Sequence, residues 1–97
     1  SLIKPTIRLM KFWNAQNGYV YDSYSLEKWI VDQFYFFIST QKDYLLESFE
    51  KLGVPTDTQW RKDKVERAKK IVAEVRRLER ENMPYTAETE VKKLIPE

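Results

Sequence analysis

The chain contains neither cysteine nor histidine. Without cysteine there can be no disulfide, thiolate metal site or thiol nucleophile, and without histidine the commonest general base and metal ligand at neutral pH is missing. These two absences exclude most kinds of self-contained enzyme site. Glycine is scarce as well, with only Gly18 and Gly53, and the four prolines stand at positions 5, 55, 84 and 96. No apolar run approaches the roughly 20 residues of a membrane span, and the first residues lack the basic-then-apolar build of a signal peptide. A cytoplasmic chain with no membrane partner is expected. Charge of neither sign dominates, with 17 Lys and Arg against 15 Asp and Glu.

What is present is core material: 42% of the 97 residues are hydrophobic and 14% aromatic. That suits a single globular domain over residues 1–97 rather than a disordered segment. Between the glycines and prolines the apolar residues recur with a helical period, and no internal repeat or low-complexity tract interrupts them. The pattern predicts an all-α fold, a bundle of about five helices with a long fourth one.

The first helix is expected over residues 4–16, with Pro5 in its first turn and Asn17-Gly18 supplying left-handed residues at its end. At ~100° per residue, Ile3, Ile7, Leu9, Met10 and Trp13 fill one arc while Lys4, Arg8 and Lys11 line the opposite one. The second helix, 23–38, begins with Ser23 as N-cap and should be the buried centre, through Leu26, Trp29, Ile30, Phe34, Phe36, Phe37 and Ile38. The third, 41–52, is capped by Thr40, stopped by Gly53 and striped by Leu45, Phe49 and Leu52. The fourth, 58–81, buries Trp60, Ala68, Ile71, Val72, Val75 and Leu78 and pairs Glu66 with Lys70 and Asp63 with Arg67 on its outer face. A short fifth helix, 86–94, carries Ala87, Val91 and Leu94.

This scheme leaves residues 18–25 underused. A helix–helix loop needs a turn and a cap, yet this one also holds Tyr19, Tyr21 and Tyr24. At its edges, "LIKPTIRLMKFWN" (2–14) and "SYSLEKWIV" (23–31) carry Ile7, Arg8, Leu9, Lys11 and Trp13, then Ser23, Tyr24, Leu26 and Glu27. In that order they resemble the C-terminal helical half of polymerase-β-type nucleotidyltransferases. The likeness is to the branch of the oligoadenylate synthetases, the cyclic GMP-AMP synthases and the bacterial cyclic-oligonucleotide synthases of anti-phage defence. The later Trp-bearing helix, charged helix and "AETEVKKLIP" ending follow the bacterial members, although only the first thirty residues are specific.

The resemblance implies that these residues form one wall of a nucleotide cleft. By that likeness Lys11 would neutralise a triphosphate, Ser23 would hydrogen-bond a phosphate oxygen and Tyr24 would stack on a base. The residue types suit the roles: lysine is a mobile point charge, a helix N-terminus favours an anion, and tyrosine offers a flat apolar face. Each also has a plainer reading, with Lys11 on a solvated basic face, Ser23 only capping, Tyr24 packing over the loop and Glu27 holding a backbone N–H or an arginine.

The family's Gly-Ser pair and Asp-x-Asp carboxylates, which hold two Mg²⁺ ions, do not occur in this sequence. Its nearest acidic pairs, Glu79/Glu81 and Glu88/Glu90, fall on helices whose alternate residues diverge. The chain therefore reads as a domain of a longer enzyme whose N-terminal sheet domain would bind the Mg²⁺. This part would bind nucleoside triphosphate but no metal, and alone would catalyse nothing. The nine Lys and Arg between Trp60 and Glu81 are interleaved with five Asp and Glu. That argues for a solubilising face over a nucleic-acid track. Two alternatives stand beside the synthase: a self-contained helical module that docks a protein, and an RNA-tailing or nucleotide-adding enzyme of the same superfamily.

Overall fold

The computed structural model describes residues 3–33 and 40–95. Five helices follow one another: α1 (Ile3–Gln16), α2 (Ser23–Asp32), α3 (Gln41–Lys51), α4 (Gln59–Arg80) and α5 (Pro84–Val91). The fold is all-α, as the periodicity predicts, and α4 is the long helix. The second helix ends at Asp32, where Gln33 turns to extended backbone (φ −72°, ψ 145°), and does not run on unbroken toward residue 38 as predicted; Phe34, Phe36, Phe37 and Ile38 lie outside the described residues. The helices gather into two compact units, Ser1–Lys51 and Leu52–Glu97.

In the first unit α1 packs on α2 and on α3. The buried stripe of α1 is Thr6, Met10, Trp13 and Asn14, whereas Ile3, Ile7 and Leu9 are only half-buried. The stripe keeps the direction of the predicted arc but is narrower, and the two polar residues within it, Thr6 and Asn14, are buried because their side chains make hydrogen bonds there. Gln41 of α3 donates through Nε2 to Thr6 Oγ1 at 3.3 Å. Trp13 meets Phe49 of α3 edge-on, with ring centroids 5.2 Å apart and planes at 84°, a geometry favoured by the ring quadrupoles. Leu26 and Ile30 of α2 complete this core, with Tyr44, Leu45 and Leu46 of α3. Trp29, expected in it, is half-buried.

The helix ends show which local signals acted. α1 stops in a Schellman turn: Gly18 N–H donates to Ala15 O at 3.2 Å and Tyr19 N–H to Asn14 O at 2.8 Å. The left-handed residues are Gly18 (φ 80°) and Tyr19 (φ 59°) rather than Asn17-Gly18. α3 opens as predicted, with the Asp43 N–H donating to Thr40 Oγ1 at 3.1 Å. Gly53, expected to stop α3, lies two residues beyond its end at Lys51 without a positive φ, and a methyl group there would meet nothing within 4 Å.

In the second unit α4 packs on α5. Ala68, Ile71, Val72, Val75 and Leu78 are buried as predicted, together with Val65. Trp60 is not part of that stripe: it is 42% exposed at the start of the helix, with the Arg61 guanidinium 5.2 Å from its ring centre. On the outer face Arg77 bridges Glu74 and Glu81, and Gln59 Nε2 donates to Asp63 Oδ1 at 2.7 Å. α4 ends in a second Schellman turn, with Asn82 left-handed (φ 62°), its N–H on Glu79 O and the Met83 N–H on Leu78 O. Pro84 then starts α5, two residues before the predicted boundary, where its missing N–H removes no helical bond. None of the described helices is long and apolar enough to cross a membrane.

Candidate functional site

The α1–α2 connection is built around one side chain. Asn14 is fully buried. Its Nδ2 donates to Tyr21 O at 2.8 Å while its Oδ1 accepts the Tyr21 N–H at 2.9 Å. The carboxamide therefore pairs with the Tyr21 backbone much as a neighbouring strand would. With the Tyr19 N–H on the Asn14 carbonyl, the loop is held to α1 at two points. Val20 is buried, so the loop has an apolar anchor as well. Tyr21 is half-buried, and burial pushes its phenol up to about 12.

Asp22, not Ser23, caps α2. Its carboxylate accepts the Ser25 N–H at 2.9 Å and the Ser25 hydroxyl at 3.1 Å. These bonds, the backbone one foremost, hold the Asp22 carboxyl below the usual range. Ser23 becomes the first helical residue, half-buried, and Tyr24 follows it at 73% exposure. Either Asp22 or Ser23 could have been the cap on residue type alone. What distinguishes them is the geometry, in which the Ser25 N–H and hydroxyl both reach the Asp22 carboxylate. The cap carboxylate offsets the positive helix end, so an anion at Ser23 has the serine hydroxyl to meet but not an empty N-terminus.

Lys11 lies on the outward face of α1, and its Nζ is 3.5 Å from Glu27 Oε1 on α2. The two side chains are 44% and 43% exposed, which keeps the pair weak by itself. They sit in an open groove of about 560 Å³ lined by Lys4, Ile7, Arg8, Lys11, Glu27 and Val31. Lys4, Arg8 and Lys11 recur at i, i+4 and i+7, which aligns three cations along one helix face. Ile7 and Val31 give the groove an apolar floor. On α2, Ser23 and Tyr24 each precede Glu27 by about one turn but point ~100° apart from each other. Of the three sequence-predicted residues Lys11 lines the groove, while Ser23 and Tyr24 are not among its lining residues and lie in the first turn of α2.

Among the described residues no three His, Cys, Asp or Glu side chains gather where a metal ion could be held. The groove can hold an anion against its cationic side and a flat or apolar group against its floor. Sequence reasoning missed Asn14 and Asp22. An asparagine in the buried phase of a helix, next to Trp13, is the signal that could have flagged the first.

No protein-family model, curated protein or solved structure matches the chain.

Proposed function

We propose that this chain is the C-terminal helical domain of a bacterial nucleotidyltransferase that joins nucleoside triphosphates into a cyclic or linear oligonucleotide signal. The observation that carries the reading is the α1–α2 groove, where Lys4, Arg8 and Lys11 are set with Glu27 and the apolar Ile7 and Val31. It lies between the two segments whose residues resemble that family. In this role Lys11 draws the triphosphate, Ser23 donates its hydroxyl to a phosphate oxygen, and the exposed ring of Tyr24 stacks on the base. Mg²⁺, and the carboxylates that align the attacking hydroxyl, would belong to an N-terminal catalytic domain of the same polypeptide.

The test is a titration of the chain with ATP, followed by amide chemical shifts. Shifts at Lys11, Ser23, Tyr24 and Glu27 that saturate at millimolar ATP are expected, weakened in Lys11→Ala and Tyr24→Ala. In the full-length enzyme, Lys11→Ala and Ser23→Ala should raise KM for nucleotide with the fold intact. A flat titration at millimolar ATP would sink the reading. It would favour the second one, a helical module that docks a partner protein, for which the exposure of Tyr19, Tyr24 and Tyr85 (60%, 73% and 85%) speaks.

A further inference from the structure

From the Lys11–Glu27 ion pair inside the groove, we infer that Glu27 is an internal competitor for the anion site, a carboxylate that an incoming polyphosphate must displace from Lys11. This rests on the nucleotide-binding reading and adds to it the control of affinity.

The geometry leaves Glu27 few other roles. It stands on α2 opposite the cationic row of α1, 3.5 Å from the Lys11 ammonium, and among the described residues it is the one carboxylate lining the groove. A phosphate near Lys11 therefore meets a like charge at close range. To bind, it takes over the Lys11 ammonium, and Glu27 turns toward water. Because both side chains are nearly half exposed, their mutual attraction is weak and the exchange is easily driven. Arg8 and Lys4 then decide which ligands drive it. A monophosphate engages Lys11 alone and competes with Glu27 on nearly equal terms. A triphosphate reaches further along the row and keeps contacts that Glu27 cannot contest. The carboxylate thus tunes the groove toward multiply charged phosphate chains.

The experiment compares wild type with Glu27→Gln by calorimetric titration with inorganic triphosphate, ATP and AMP. Circular dichroism melts verify that the variant is folded. With the competitor neutralised, triphosphate and ATP should bind about two- to fivefold more tightly, as expected for losing one exposed ion pair, and AMP should gain at least as much. The gain should shrink with added salt and vanish in a Lys11→Gln background. Comparing ATP with inorganic triphosphate separates the phosphate chain from the nucleoside, since only ATP should lose affinity on Tyr24→Ala. If wild type binds triphosphate and Glu27→Gln binds equally or more weakly, the competitor role is refuted while the nucleotide reading stands. If neither binds, the groove is no anion site and both fall. Tighter binding by Glu27→Gln that persists without Lys11 would also overturn the role, because the competition runs through that lysine.

Discussion

Replacing Asn14 by alanine should unfasten the α1–α2 loop. The side chain is fully buried and makes two hydrogen bonds to the Tyr21 backbone, at 2.8 and 2.9 Å. Each such bond contributes about 1 kcal/mol net, and a buried group left unpaired costs about 1–3 kcal/mol. Tyr21 is only half-buried, so water can recover part of the loss. A total of about 2–4 kcal/mol follows, out of the 5–15 kcal/mol or so typical of a domain. For a chain of this size that is on the order of a 10–20 °C fall in Tm. Urea unfolding by far-UV circular dichroism gives the energy, and amide hydrogen exchange at Tyr19 and Tyr21 shows whether the loss is local. Asn14→Asp is a sharper control. At neutral pH its carboxylate can accept the Tyr21 N–H but faces the Tyr21 carbonyl, so it should be less stable relative to wild type than at low pH, where the protonated acid can donate. An Asn14→Ala variant within about 0.5 kcal/mol of wild type, the range of an ordinary surface change, would refute the clamp.

The two glycines should respond with opposite signs. Gly18→Ala forces a left-handed alanine and should cost about 1–2 kcal/mol, whereas Gly53→Ala should gain about 0.4–1 kcal/mol by restricting the unfolded chain; paired urea curves decide. The Tyr21 phenol, raised from 10.0 to about 12, stabilises the fold fully below pH 10 and loses that contribution as pH rises through about 12. Alkaline unfolding should therefore be less steep in Tyr21→Phe, and an unchanged slope would refute the assignment. Asp22 has the reverse sign. Its lowered carboxyl adds stability above the unfolded value of about 3.9, lost as pH falls through the folded one. Asp22→Asn should keep the cap at neutral pH and blunt this acid sensitivity in melts across the acid range, and a full wild-type pH response would count against the cap.

Much of the fold was legible because helical periodicity is a strong signal. α4 shows it best: Ala68, Ile71, Val72, Val75 and Leu78 are all buried where the pattern placed them. The failures come where a side chain's chemistry outweighed its hydropathy. Trp60 looked like core but stands at a helix start, where its ring carries the Arg61 guanidinium in partial exposure. Asn14 and Thr6, which a pattern of apolar residues leaves unassigned, are buried, because each finds its partner inside, one within the loop and one on α3. Around the α1–α2 loop, the outward place of Lys11 was legible from the basic face, but the cap could not be assigned between Asp22 and Ser23 without knowing where the Ser25 N–H points. The groove's Glu27 was read as a partner for a backbone N–H or an arginine, and it proves to face Lys11. A cross-helix pairing of this kind depends on how α1 and α2 are rotated about their axes, which periodicity constrains only to within a broad arc.

The placement of the tryptophans gives the chain its own optical reporters. Trp13 is sealed in the first unit at 2% exposure, against the edge of Phe49, while Trp60 stands 42% open in the second. With Trp29 changed to phenylalanine, the remaining two indoles would emit at different wavelengths, the sheltered one to the blue and the wetted one to the red. Unfolding of each unit then becomes separately visible without a label, and two coincident or two staggered transitions would tell whether the 97 residues melt as one cooperative body or as two.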